Sequence, residues 1–354
     1  MKTGRICVVG GYGHVGIEIA RLLAPAQPDR VTLAGRNKEA AERAAASIGF
    51  GTIGIELDVS RGLAPPDTAL VIMCLDWQDP SFAANCLSQG VDYVDISAKG
   101  EVLGMLEGLD MKARKNEATA LISVGMSPGL TNLLVARLLR DRDTPESVDI
   151  YTLLGSGDDH GPAAIEWTLD NLDAEFEVVE ARRRRRVQAQ RETKSTTLPG
   201  RKGRIYGARF DFPEQRALAR TLSLPTVSSW MATMPPVAAR AMRAATLAGV
   251  SELTRRPRSR RALMWALTRE AKGNDECGAI VDVTWADGRS SKGSFVTHGQ
   301  SLLTARAVFV MVEQLLEGNL PAGVHHSEGV LDADRVFGRL AELDPAAALS
   351  VTHD

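Results

Sequence analysis

The sequence predicts an α/β protein, with a doubly wound parallel sheet followed by a second, α+β domain on a mixed or antiparallel sheet. Three observations predict it. Apolar strand-like runs alternate with amphipathic helical runs over the first third of the chain. A spaced glycine pattern joins the first of those strands to the first helix. After Val148 the texture changes to alternating strand patterns joined by turn signals, including the hairpin dipeptide Asp287-Gly288.

A chain of 354 residues suits two domains. Hydrophobic residues make up 44% and charged residues 24%, the balance of a globular protein with an ample core. A net charge of −2 provides no global basic field, so nucleic acid is not an expected partner. The four cysteines (Cys7, Cys74, Cys86, Cys277) are scattered and form no C-x-x-C pair. They read as reduced, mostly buried thiols, which suits the cytoplasm. The first strand begins almost at once, so no signal peptide is expected. No apolar run reaches the length of a bilayer-spanning helix, so no membrane partner is expected either.

The elements follow in order. Ile6–Val9 is the first strand, and Val15, Ile19, Leu22 and Leu23 mark one face of the first helix. Between them Gly11, Gly13 and Gly16 match the G-x-G-x-x-G dinucleotide fingerprint. Gly11 permits the sharp turn, Gly13 the approach of a pyrophosphate, and Gly16 close helix–sheet packing. The helix N-terminus offers N–H groups and positive dipole to phosphate. Gly11, Tyr12, Gly13, His14, Val15 and Gly16 are therefore candidate cofactor residues.

Arg30–Ala34 is the second strand and ends in Gly35-Arg36-Asn37. An NAD-selective site carries an acid there to accept from the ribose 2′-OH. Here Gly35 leaves space and Arg36 can pair with a 2′-phosphate, which points to NADP(H). The competing reading of Arg36 is a solvated loop arginine. Asn37 can cap the next helix and can also reach the phosphate. Ile53–Leu57 is the third strand, followed by Asp58-Val59 beside the expected adenine position. Asp58 reads equally as an adenine acceptor or a turn residue.

Ala69–Leu75 reads as a central strand buried on both faces, followed by Asp76. A helix is expected over 81–88, a strand over 91–97, one long helix over 101–116 and a sixth strand over 120–124. Ligands of such sheets lie outside the carboxyl ends of the strands. That rule nominates Leu75, Asp76, Asp95, Ser97 and residues 125–127 as the nicotinamide and substrate edge. Asp95, Ser97, Lys99 and His160 are the candidate catalytic groups.

These pieces carry a resemblance. The G-Y-G-x-x-G start, the A-G-R-N after strand two, Tyr93-Val94-Asp95 with Ser97, and Pro128-Gly129-x-x-Asn132 resemble the saccharopine dehydrogenase-like NADP-binding family in order and spacing. A terminal Gly-Val-x-x-x-Glu at 323–328 resembles it again. The resemblance implies hydride chemistry at a C–N bond of an amino-acid-like small molecule. It also implies a second domain that supports homodimerisation, and a chain end that returns to the nucleotide domain. The sequence is shorter than full-length members, which predicts that part of their substrate domain is lacking. The boundaries expected are 1–125 for the nucleotide domain, 126–300 for the substrate and dimerisation domain, and 301–354 for the returning helices.

In the second half, Val148–Leu154 is a strand leading to a glycine-rich loop with Asp159 and His160. That loop reads equally as a substrate loop or as a helix-capping turn. Arg182–Arg186 follow several acids and lack interleaved aromatics, so they read as a solvated, acid-paired face rather than a polyanion site. A second basic cluster, 255–261, reads as an exposed loop. Ala279–Trp285 and Ser294–Thr297 form a hairpin, and helices are expected over 302–316 and 333–343. His325 and His326 are adjacent and lack a nearby third ligand, so no metal site is expected. Two other functions fit the same residues. One is an NADPH-dependent reductase of a C=C or C=O bond. The other is a non-catalytic NADP-binding sensor.

Overall fold

The computed structural model describes residues 2–157, 162–249 and 274–353, with 254, 256, 258–261 and 264 between the last two stretches. The chain forms two compact units, Met1–Leu130 with Thr304–Asp332, and Thr131–Leu303 with Ala333–Asp354.

The first unit is built on a seven-stranded sheet with every pairing parallel. Its strands are β1 (Arg5–Val9), β2 (Val31–Gly35), β3 (Ile53–Glu56), β4 (Thr68–Met73), β5 (Asp92–Asp95), β6 (Thr119–Ile122) and β15 (Gly323–His326). They lie in the order β15-β6-β5-β4-β1-β2-β3. Beyond their first residues, Arg5 and Thr68, β1 and β4 are apolar and buried, as in a parallel sheet covered on both faces. The edge strand β3 is the most exposed. Helix α1 (His14–Ala26) buries Ile19, Ala20, Leu23 and Ala24 on one side. Helix α2 (Lys38–Ile48) starts at Asn37, whose side chain accepts the N–H of Ala40 at 2.9 Å. Helix α3 (Ser81–Ser88) stands where the sequence predicts it.

Two features differ from expectation. The single helix expected over 101–116 is two, α4 (Gly100–Glu107) and α5 (Asp110–Lys115). Gly108 is a weak helix former, and Asp110 accepts the backbone N–H of Val324 in β15 at 2.9 Å. The second difference is β15 itself, which adds a seventh strand to the six expected. Four residues, two of them histidine, give no strand periodicity. The strand forms because β6 offers an open edge.

The second unit carries a mixed sheet. Its main path is β10 (Thr193–Thr196), β11 (Ile205–Arg209), β12 (Val227–Met234), β7 (Ser147–Gly155), β13 (Glu276–Thr284), β14 (Ser290–His298) and β16 (Ser350–His353). β7 and β12 pair in parallel and the other pairs on this path are antiparallel. The helices are α6 (Thr131–Leu139), α7 (Pro162–Asn171), α8 (Glu214–Thr221) and α9 (Pro236–Leu247). Helix α6 packs Leu134 so closely that a Cβ on Gly293 would stand 2.6 Å from its Cδ1. The Asp287-Gly288 turn closes β13 onto β14, with Gly288 in the left-handed region at φ +88°. The arginine run lies on a hairpin, β8 (Glu175–Glu180) with β9 (Arg183–Gln188), where Arg184 and Arg186 pair with Glu177 and Glu175. That is the acid-paired face. In the second basic cluster, residues 258–261 are helical rather than loop.

The chain passes back to the first unit within α10 (Gln300–Leu316). After β15 come the single turn α11 (Ser327–Val330) and then α12 (Ala333–Leu343). The expected return of 301–354 as one segment differs here, because residues 304–332 join the first unit and 333–354 the second. The reason is local. Phe337 of α12 stacks on Phe295 of β14, and Asp334 pairs with Arg137 and Arg140 of α6.

Candidate functional site

The carboxyl ends of β1, β2, β3, β4 and β5 bring the candidate cofactor residues of the first unit to one edge of its sheet. At the end of β1, two glycines are demanded by packing. A Cβ on Gly11 would stand 2.8 Å from both Val8 O and Leu33 Cδ2, and one on Gly16 would run into Gly10 O. Gly13 differs, because a Cβ there would meet only Gly10 O, at 3.2 Å. Packing asks least for a glycine at the position that the dinucleotide fingerprint reserves for the approach of a pyrophosphate. Gly13 is also the N-cap of α1 and supplies no side-chain acceptor, so the helix dipole opens toward this turn with His14 and Val15 in its first turn.

At the end of β2, Gly35 lies under the ring of Tyr12. A Cβ on Gly35 would be 2.5 Å from Tyr12 Cε1 and 2.6 Å from its hydroxyl oxygen. That oxygen accepts the backbone N–H of Asn37 at 3.2 Å. Arg36, between them, is exposed. Leu57 donates its N–H to Gly35 O at 2.9 Å, tying the turn to β3. Asp58 accepts from both the N–H (3.0 Å) and the hydroxyl (2.7 Å) of Ser60. These two bonds hold its carboxyl below the usual range, helped by the charges of Arg61 and Arg36. Asp58 is therefore a turn residue by its contacts, and Val59 beside it is buried. The edge thus combines a glycine turn on a helix N-terminus with an arginine and no acid at the end of β2. That donor set fits a 2′-phosphorylated dinucleotide.

At the ends of β4 and β5 the environment is different. Leu75 is 39% exposed and packs over Gly10. Asp76 pairs with Lys99, and both are about one-third exposed. Asp95 is 2% exposed. It accepts the Ser97 N–H at 2.8 Å and the Tyr93 hydroxyl at 3.1 Å. Burial pushes its carboxyl up to about 7 against those two donors, with the Asp76 charge adding to the rise. Ser97 is also buried, and its Oγ accepts the Lys99 N–H at 3.2 Å. Asp95, Ser97 and Lys99 therefore form one connected turn. Cys74 beside it has its thiol raised by burial and then by Asp95. His160 and Asp159 lie outside the described residues.

Sequence reasoning missed a buried relay at the same edge. Ser123 follows β6, is fully buried and adopts φ +54°. Its Oγ lies 2.7 Å from His326 Nδ1, and His326 Nε2 lies 2.8 Å from Glu107 Oε1. A carboxylate can only accept, so Nε2 donates to Glu107, and Nδ1 shares a hydrogen bond with the serine hydroxyl. No local pattern could have found these three residues, which come from α4, the end of β6 and β15. His325 instead contacts Pro321 O at 3.0 Å. Among the described residues no group of three His, Cys, Asp or Glu could hold a metal ion, and no helix is long and apolar enough to cross a membrane.

Residues 6–121 match the family model described as the saccharopine dehydrogenase NADP binding domain. No curated protein matches the chain. Among solved structures, the fold is similar to apo saccharopine dehydrogenase (L-Glu forming) from Saccharomyces cerevisiae, with a TM-score of 0.70 and 14% identity. That match covers 99% of this chain and 100% of the yeast chain, so the expected lack of part of the substrate domain does not hold against that structure. GenD2 from gentamicin A biosynthesis, in complex with NAD, matches at a TM-score of 0.45 and 13% identity over 100% of this chain and 97% of its own. A myo-inositol dehydrogenase from Corynebacterium glutamicum matches at 0.44 and 11%, covering 99% of each chain. The first unit contains a saccharopine dehydrogenase-like NADP-binding domain, and the chain binds NADP(H).

Proposed function

We propose that the chain is an NADP(H)-dependent oxidoreductase acting at a C–N bond, an imine or secondary amine, of an amino-acid-like small molecule. The observation that carries the reading is the match of residues 6–121 to the saccharopine dehydrogenase domain model. The arginine without a neighbouring acid at the end of β2 supports the choice of NADP(H) over NAD(H). Gly11, Tyr12, Gly13, His14, Val15 and Gly16 hold the pyrophosphate, Arg36 and Asn37 the 2′-phosphate, and Asp58 and Val59 flank the adenine. Leu75 and Asp76 flank the nicotinamide. When bound, NADP(H) supplies or accepts the hydride.

In this reading the chain's own groups divide the remaining work. Asp95 is a positioning residue, since its oxygens are taken by Tyr93 and Ser97 and it is buried. Lys99, one-third exposed beside Asp76, is the group at this edge best able to meet a substrate carboxylate or exchange a proton with water. Imine reduction proceeds through an already protonated iminium, so the chain need not supply a strong acid in that step. His160 remains in the proposed set as a substrate-loop residue. A homodimer in the cytoplasm completes the reading.

NADPH oxidation followed by absorbance, first with pairs of oxo-acids and amino acids and then with enones and ketones, tests it. Turnover with an oxo-acid only when an amino acid is present is the expected result. Turnover with enones or ketones alone would replace C–N chemistry with C=C or C=O reduction. Binding of NADPH with no turnover across both sets would favour a sensor.

A further inference from the structure

Within the proposed NADP(H) reading, one side chain at the 2′-phosphate end has a hydrogen-bonding capacity that the fold leaves open. Tyr12 sits in the glycine turn, yet its ring reaches across to β2 and its hydroxyl end stands so close to Gly35 that a Cβ there would be 2.5–2.8 Å from it. Its hydroxyl oxygen accepts the N–H of Asn37. A phenol is both acceptor and donor. With the acceptor side engaged by a backbone N–H, rotation of the O–H is restricted and the hydrogen is directed away from Asn37. Among the described residues no acceptor for that hydrogen is present in the hydrogen bonds of Tyr12.

The neighbours on either side point to what takes it. Asn37 spends its own side-chain oxygen on capping α2 through Ala40 N–H. Its backbone N–H is spent on Tyr12. The backbone N–H is then not left to meet a phosphate, so the side-chain donors flanking this turn are the Arg36 guanidinium, the Asn37 amide Nδ2 and the Tyr12 hydroxyl. We propose that the Tyr12 hydroxyl is a second donor to the 2′-phosphate of NADP(H), oriented by Asn37, so that recognition of that phosphate is shared between the glycine turn and the end of β2. Asn37 acts on the tyrosine as a positioning residue, through its backbone N–H. Gly35 is required because any side chain there would displace the tyrosine.

The test uses the full chain and two probes, 2′,5′-ADP and 5′-AMP, which differ by the 2′-phosphate alone. Affinities are measured calorimetrically for wild type, Tyr12→Phe and Gly35→Ala, with thermal melts to confirm folding. Phenylalanine keeps the ring and deletes only the hydroxyl. Tyr12→Phe is expected to weaken 2′,5′-ADP by about tenfold, the lower end for a hydrogen bond to a charged group, and to leave 5′-AMP unchanged. Gly35→Ala is expected to reproduce that loss by pushing the ring aside. Equal weakening of both probes by Tyr12→Phe would mean that the tyrosine only shapes the turn, and unchanged affinity for both would mean that it meets no phosphate. Either result overturns the proposal. A wild type that binds the two probes equally would instead overturn the NADP(H) reading beneath it.

Discussion

The two ends of the sheet edge in the first unit are built by different means. At the ends of β1 and β2 the geometry comes from residues close in sequence. A turn of glycines, a capping asparagine and one tyrosine 25 residues upstream of its partner fix the structure. At the ends of β5 and β6 the geometry is long-range. Ser123 meets a histidine 203 residues later, and that histidine meets a glutamate 219 residues earlier. The first end is exposed and presents donors. The second is buried and holds a carboxyl that burial has pushed up to about 7. On the proposed reading, the contrast separates recognition of the cofactor's phosphates, which local sequence encodes, from shaping of the reaction edge, which depends on the returning segment 304–332.

The largest effect is expected from breaking the first end at its packing contact. Gly16→Val would force side-chain carbon into Gly10 O and Gly11 Cα. Because α1 and the turn must separate to relieve the clash, NADPH binding should fall below detection in calorimetry. Retained binding would mean that the turn is not the phosphate site.

The second end breaks differently. His326→Ala removes two hydrogen bonds and leaves the fully buried Ser123 hydroxyl unpartnered. A destabilisation of about 2–3 kcal/mol is expected in denaturant unfolding, with NADPH affinity changed far less than stability. A variant as stable as wild type would show that the relay does not hold β15 to the sheet.

A further effect is in pH dependence. Asp95 has a folded-state pKa near 7 against an unfolded value near 4, so between them the folded state binds the extra proton. Stability from this group is therefore present below about pH 4, falls as pH rises towards 7 and is flat above. Asp95→Asn can still accept from Ser97 N–H and donate to Tyr93, so its melting temperature should lose that decline while keeping the fold. Superimposable pH profiles would contradict the assignment.

The same contrast explains what the sequence made legible. Strand β1, the glycine turn, Asn37 as a cap and the hairpin at Asp287-Gly288 depend on local conformational preference and period, which single residues display. The break between α4 and α5, the strand β15 and the Ser123–His326–Glu107 relay depend on which edge of a finished sheet is open. Asp95 was legible as a strand-end acid but not as a buried one, because its burial comes from Tyr93, Ser97 and their surroundings.

The central claim is that this edge reads a 2′-phosphate. Dissociation constants for NADPH and NADH, measured side by side on wild type and Arg36→Ala, test it most directly. Wild type should prefer NADPH, and the variant should lose about tenfold or more of NADPH affinity while NADH stays nearly unchanged. Salt should weaken the NADPH term in wild type and much less in the variant. A wild type that prefers NADH, or a variant that loses both cofactors equally, would contradict the account.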